Sequence, residues 1–297
     1  MLRPRSKLES NRLGVAMIMP ALILMLLLLI YPLIQGISYS FTSYRFNRPN
    51  ATAFIGFSNY VDIITSDHKF YSTLGFTFLN ALGAVLISYA AGFAIALLLN
   101  KKLHGRGLFR AVILLPWVIS SSVTATNWQW MLNDRHGIVN AFLEKIGAVE
   151  DPVLFLANPT LAKFTVIIVG AWKCLPFMTV VILAGLQSIS PDLYEAASID
   201  GAGFWRSLKN ITLPGIRGVT TMCTTLQFIW NFNNFENIYL LTSGGPNEST
   251  FTLPIYIYFT AFARNKIAYA SAMAVLVMVI MMVFALIRFR LQRNAEE

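Results

Sequence analysis

Of the 297 residues, 56% are apolar and only 12% are charged, against roughly 25% charged in a soluble globular domain. The formal net charge is +9, but no aromatic-interleaved basic patch accompanies it, so the surplus does not point to nucleic acid. These proportions exclude an ordinary soluble enzyme and leave an all-α polytopic membrane protein.

A helix needs about 20 apolar residues to cross about 30 Å of hydrocarbon. Six stretches qualify in chain order: Leu13 to Gly36, Thr73 to Asn100, Ala111 to Met131, Lys163 to Leu186, Ile216 to Leu240 and Ile267 to Ile287. The expectation is a bundle of six transmembrane helices. Little chain remains outside them, so residues 1–297 read as a single transmembrane domain. Arg3, Arg5, Lys7 and Arg12 precede the first stretch. Its apolar run is too long for a signal peptide and no A-x-A-like site follows, so it reads as a retained helix.

Lys and Arg outside the spans are distributed unevenly. Fourteen fall on the side of the termini, including those of "KKLHGRGLFR", and eight on the other side, with Lys173 inside a span. The positive-inside rule then puts both termini in the cytoplasm.

The chain shows no chemistry of its own. His68, His104 and His136 are scattered, with no Cys, His or carboxylate at ligand spacing, so no metal site is expected. No G-x-x-x-x-G-K-[ST] loop and no G-x-S-x-G elbow occurs. Cys174 and Cys223 both fall within spans and read as small buried thiols. No catalytic residue is assigned, and transport, scaffolding or sensing remain.

A charged loop, residues 187–215, interrupts the apolar sequence after the fourth span. In "SPDLYEAASI", Ser190 suits an N-cap, Pro191 the first helical position, and Asp192 and Glu195 the positive end of the helix dipole. Gly201 can close that helix in a left-handed conformation. "GFWRSLKNITL" starts a second helical run that Pro214 punctuates. The expected result is a cytoplasmic helix–turn–helix exposing Leu193, Tyr194, Ala196 and Ala197. By shape alone, a solvated loop and a docking surface fit equally well.

The spelling of the loop separates the two. Glu195-Ala196-Ala197, three residues, Gly201, nine residues, then Ile211-x-Leu213-Pro214 resembles the EAA motif of inner-membrane permease subunits of binding-protein-dependent ABC importers. "LQSISPDLYEAA", "LLTSGGPNEST", "FIGFSNYVDII" and "RAVILLPW" extend the likeness from about Gly56 to Leu276, toward the larger-partner carbohydrate permeases of maltose and glycerol-phosphate systems. The chain is leaner than the maltose-type subunit, with six spans and no large extracytoplasmic insert. The resemblance implies that the loop is a coupling helix docking in an ATPase subunit. Ala196 and Ala197 would permit close approach, Glu195 would offer an ionic contact, and Gly201 would set the angle between the helices. It further implies a heterodimer with a second permease, two ATP-binding subunits and an extracytoplasmic solute-binding protein, in a bacterial inner membrane. ATP and Mg would then belong to the partner subunits, with no cofactor in this chain. The rivals are an ion-coupled secondary transporter, which would carry intramembrane acids, and a scaffold, which has no need of this motif. No Asp lies within a span, and the one Glu there is Glu236, near an end.

Polar residues inside spans are costly and tend to face the bundle or a cavity. Thr220, Thr224, Gln227, Asn231 and Asn234 recur at steps of four and three in the fifth span, one face of a helix. They read either as pore lining or as hydrogen-bonded contacts between helices. In the third span Trp117, Ser121 and Thr124 share a face near Pro116, and Trp117 reads as a sugar-stacking ring or a core residue. Ser121, Lys173 and Asn231 each lie about ten residues from the end of their span, roughly 15 Å deep at 1.5 Å per residue, near the bilayer midplane. Transporter sites are common at that depth. The resemblance similarly implies sugar contacts in the segments "PWVISS", "WKCLPF" and "WNFNNF". The expected substrate pathway is therefore Trp117, Ser121, Lys173, Gln227, Asn231 and Asn234. An ammonium at mid-bilayer costs about 2.5–3.5 kcal/mol on insertion scales. Lys173 should pair with Glu236 or a partner's acid, or else face the cavity and meet an acidic sugar.

Overall fold

The computed structural model describes residues 7–101 and 105–296; Arg3, Arg5 and His104 lie outside the described residues. All regular elements among the described residues are helices, and one isolated antiparallel bridge joins Thr42 and Phe54. In chain order they are α1 (Lys7–Met25), α2 (Tyr31–Ser40), α3 (Ser58–Ser66), α4 (His68–Asn100), α5 (Arg106–Val118), α6 (Ser121–Met131), α7 (Ile138–Lys145) and α8 (Pro159–Gln187). There follow α9 (Pro191–Ile199), α10 (Phe204–Ser207), α11 (Leu213–Gly215), α12 (Arg217–Phe232), α13 (Glu236–Thr242), α14 (Leu253–Tyr258) and α15 (Ile267–Glu296). Single π-helical turns at Leu26–Ile30, Leu208–Thr212 and Phe259–Ala263 continue α1 into α2, α10 into α11, and α14 onward.

Two compact units divide the chain: Met1–Asp67 with Ile257–Val279, and His68–Tyr256 with Ile280–Glu297. In the first, Asn59 ties α3 to the end of α2, its amide donating to the carbonyls of Ser40 at 2.8 Å and Thr42 at 2.9 Å. Tyr269 donates to the Asp67 carboxylate at 2.9 Å. The apolar stretch Val15–Ser40 has none of its most apolar window buried. Its surface is that of a helix made to face lipid or another chain.

In the second unit α8 is the central element, with 61% of its most apolar window buried. Its start is well specified: Pro159 takes the first position, and the Asn158 side chain accepts from Thr160 N at 2.9 Å and Leu161 N at 3.1 Å. Glycines let α4 approach it. A Cβ at Gly92 would lie 2.9 Å from Met178 Cβ and 3.2 Å from the Thr179 nitrogen, and one at Gly83 would lie 2.9 Å from Ile167 Cγ2. Close approach through small residues is how membrane helices gain dispersion energy without a hydrophobic drive between them. Thr77 Oγ1 accepts from Leu253 N at 2.9 Å in a buried setting, joining α4 to α14.

Four continuous helical stretches among the described residues are long and apolar enough to span: Val15–Ser40, His68–Asn100, Pro159–Gln187 and Ile267–Gln292. The other two expected spans are broken. The third bends by 98° between Gly107–Val118 and Ser121–Met131. Pro116 has no N–H for the carbonyl one turn earlier. Ile119 and Ser120 are then extended, and the Ser120 hydroxyl starts α6 by accepting from Val123 N at 3.4 Å. Trp117 and Ser121 therefore stand on different helices, and the expected common face of Trp117, Ser121 and Thr124 does not exist. The fifth ends at Phe232 after 16 residues, about 24 Å at 1.5 Å per residue and short of a bilayer. Its asparagines compete with the helix: Asn233 Nδ2 takes the Ile229 carbonyl at 2.9 Å, and Asn234 Oδ1 accepts from Asn237 N at 3.3 Å. Such local side-chain bonds favour turns over helix interior.

Adding one methyl at Gly92 should test the α4–α8 contact. Gly92→Ala is expected to lower stability by about 1–3 kcal/mol through overpacking, read as thermal unfolding in detergent. Gly75→Ala, where the new Cβ meets nothing within 4 Å, should lose nothing.

Candidate functional site

The two breaks lie beside each other and open a cavity of about 450 Å³ in the second unit, within the 300–1,000 Å³ common for ligand sites. Trp117 from the end of α5, Lys173 from α8, Gln227, Trp230 and Asn231 from α12, and Asn234 and Glu236 beyond it line the space. Five of the six expected pathway residues are thus together. Ser121 does not line the cavity, because the bend carries α6 away from Trp117.

Lys173 faces the break directly. Its Nζ donates to the Ile119 carbonyl at 2.6 Å and reaches Thr124 Oγ1 at 3.5 Å. That carbonyl belongs to neither α5 nor α6, so the ammonium supplies the donor that a continuous helix would have supplied. No ion pair joins Lys173 to Glu236 among the described residues, although both line the cavity. Among the lining residues they are the one base and the one acid.

The amides serve two purposes. Gln227 and Asn231 are each 3% exposed. Asn231 Nδ2 donates to the Gln227 carbonyl at 2.8 Å, to Gln227 Oε1 at 3.4 Å and to Cys174 Sγ at 3.1 Å. Both amides line the cavity, and Asn231 also joins α12 to α8 through Cys174. Lower on the same helix, Thr220 does not line the cavity, and Thr224 bonds back to the Thr220 carbonyl at 2.7 Å.

An aromatic chain accompanies the amides, with Trp230 on the same helix, α12, as Gln227 and Asn231. The Trp117 and Phe177 rings lie 6.2 Å apart and the Phe177 and Trp230 rings 5.3 Å apart, both edge to face. Trp230, Asn233 and Phe235 also line it; they lie in the segment "WNFNNF" that the resemblance named but were not singled out, and Asn237 lies outside that segment. The dense "WNFNNFEN" run was the signal: a helical wheel drawn through it cannot show which of its residues converge once the helix stops.

The charged loop folds as its residues dictate. Ser190 caps α9 by accepting from Asp192 N at 3.3 Å. Gly201 has φ +72°, and the Ala202 nitrogen bonds the Ala197 carbonyl at 2.8 Å, the pattern of a Schellman ending. Glu195 and Ala196 are exposed and Ala197 is half-buried. Tyr194, expected to be exposed, is half-buried, with its hydroxyl 3.0 Å from Thr212 Oγ1. That bond ties α9 to the second helical run. Ile199 is 87% and Trp205 76% exposed, with Leu193 and Phe204 beside them in sequence order. So much apolar surface on a charged loop is the mark of an interaction site.

Residues 88–296 match the family model described as "Binding-protein-dependent transport system inner membrane component". The chain belongs to this family, the permease class of ABC transporters, and is a multi-pass inner-membrane protein serving a solute-binding protein. It is 33% identical over 298 residues to the trehalose/maltose transport system permease protein MalF of Thermococcus litoralis, covering 98% of this chain and 97% of that one. The sulfoquinovosyl glycerol transport system permease protein SmoG of Agrobacterium fabrum is 31% identical over 289 residues, covering 97% and 93%. Among solved structures, a bacterial ABC transporter involved in the import of the acidic polysaccharide alginate matches with TM-score 0.84 and 27% identity, over 97% of this chain and 98% of that one. Family membership removes the secondary-transporter and scaffold readings.

The role of Lys173 at the break has a direct consequence. Lys173→Met leaves the half-buried Ile119 carbonyl without its donor, which costs about 1 kcal/mol, the low end for an unsatisfied acceptor. Thermal unfolding of the purified chain should register that loss, while Thr124→Val, which removes only the longer contact, should cost less.

Proposed function

We propose that this chain forms one half of the pore through which an ABC importer passes a sugar or oligosaccharide into the cytoplasm by alternating access. The observation that carries the reading is one cavity lined by Trp117 and Trp230 together with the amides of Gln227, Asn231, Asn233, Asn234 and Asn237. Indole faces suit the C–H surface of a pyranose, and amides suit its hydroxyl rim, each able to donate and accept. The sugar-transport names of the relatives support it. In the assembly we propose, residues 1–297 act as one transmembrane domain with both termini in the cytoplasm. A second permease completes a heterodimer, two ATP-binding subunits hold ATP and Mg, and an extracytoplasmic protein delivers the solute.

A second reading makes the sugar acidic. Lys173 places a cation on the cavity wall with no carboxylate bonded to it, and the alginate importer is a close structural likeness at 27% identity. The discriminating experiment is transport by the reconstituted complex of an acidic and a neutral oligosaccharide, each with its own binding protein. Trp230→Ala should lower transport of any sugar about tenfold or more, since a lost stacking ring and its burial are worth over 1.4 kcal/mol. Glu236→Gln should raise the affinity for an acidic sugar several-fold by removing a like charge. If Glu236→Gln changes only neutral-sugar transport, the cavity takes a neutral substrate. Full transport by Trp230→Ala would remove the cavity from the pathway.

For the loop, we propose that Glu195, Ala196, Ala197 and Gly201 form the docking surface for the ATPase. Gly201→Val strains a backbone that a β-branched residue avoids, by about 1–2 kcal/mol. It and Glu195→Lys should abolish substrate-stimulated ATP hydrolysis while leaving the chain inserted. Normal stimulated hydrolysis in both would leave the loop as solvated surface.

A further inference from the structure

Beside the face that serves the cavity, α12 has a second face carrying Thr221, Thr225 and Phe228, and two hollows meet there. The first, of about 450 Å³, is lined by Arg217, Gly218, Thr221, Arg288 and Gln292 among others, and no carboxylate lines it. The second, of about 370 Å³, is a groove walled by Leu82, Leu86, Tyr89, Phe228 and Phe284. Arg288 belongs to both.

The guanidinium of Arg288 is held in place. Its Nε and Nη2 donate to Thr225 Oγ1 at 3.0 and 2.9 Å, and Nη2 also reaches the Thr221 carbonyl at 3.4 Å. The Thr225 hydroxyl spends its own proton on the Thr221 carbonyl at 2.7 Å, which leaves its lone pairs to accept from the arginine. Nη1 makes no recorded bond, and Arg217 is exposed with no partner among the described residues. Arg288 is also the first charge after the unbroken apolar run Ile267 to Ile287, and Arg217 opens α12. Both therefore mark the same boundary between hydrocarbon and headgroups, with the apolar groove running inward from it. The first turn of α12 adds the positive end of its dipole.

We propose that this is a site for an anionic phospholipid, with its phosphate between Arg217 and Arg288 and an acyl chain in the groove beside Phe228 and Phe284. Paired guanidiniums suit phosphate oxygens, and basic pockets between membrane helices on the cytoplasmic side take anionic headgroups. A zwitterionic lipid fits less well, because nothing in the polar hollow would meet its ammonium. The inference rests on the chain spanning a membrane and is independent of which sugar passes, so either can fail alone.

The test uses the full chain in mild detergent, exchanged into phosphatidylglycerol, phosphatidylcholine or inorganic phosphate. Retained lipid is counted by native mass spectrometry. Phosphatidylglycerol should be held about tenfold more tightly than phosphatidylcholine, as charged hydrogen bonds of about 1.5 kcal/mol require. Arg217→Gln should abolish that preference without changing the unfolding temperature, since Arg217 supports nothing else. Leu86→Trp, which fills the groove, should reduce retention of both lipids. Equal retention, or an unchanged preference in Arg217→Gln, overturns the proposal. Displacement by inorganic phosphate would reduce the site to an anion site. Unchanged retention in Leu86→Trp, with loss of assembly with the second permease, would assign the groove to a partner's helix.

Discussion

The bond from the Lys173 ammonium to the Ile119 carbonyl is the contact on which the cavity depends. A helix that breaks inside a membrane frees backbone groups that need a partner from the protein or from a water-filled cavity. Here Pro116 and the extended pair Ile119–Ser120 free a carbonyl, and a cation from the neighbouring α8 meets it at 2.6 Å. The ammonium and the break thus make each other tolerable. The charge has an acceptor, the carbonyl has a donor, and the 98° bend opens a space beside Trp117 that a straight helix would fill.

The second break is stabilised by the same economy with neutral groups. Asn231 and Asn233 hydrogen-bond to main-chain carbonyls of α12, Asn234 accepts from Asn237 N at the start of α13, and Asn231 also reaches Cys174 on α8. Each amide that closes the helix still has capacity left on its other atoms. The cavity wall is therefore polar because the helix end needed polar side chains. Removing them for the sake of a drier bundle would leave backbone groups unpaired in hydrocarbon. This is why the distinction between helix contact and cavity lining dissolves at Asn231.

The charged loop follows different physics. Its caps at Ser190 and Gly201 are local and complete, and Tyr194 bonds Thr212 to fix one helical run against the other. What it leaves exposed is apolar: Leu193, Ile199, Phe204 and Trp205. A segment that is internally satisfied yet apolar outside has the surface of an interaction site.

The helices α4, α8 and α15 and the caps of α9 were legible in the sequence, because their causes are local: long apolar runs, a serine before a proline, a glycine free to take φ +72°. The EAA-like motif was legible for a different reason, since its residues form one contiguous spelling. The breaks were not. A helical wheel through Trp117, Ser121 and Thr124 assumes that the helix continues, and Pro116 alone does not say how sharply it turns. Nor could the sequence choose among the partners of Lys173. It is one charge in an apolar run, and the acceptor that satisfies it, the Ile119 carbonyl, is a main-chain atom 54 positions away. Periodicity reports which residues avoid lipid. Only the tertiary fold decides which of them meet, because the bends that bring them together are held by bonds between helices that no single helix encodes.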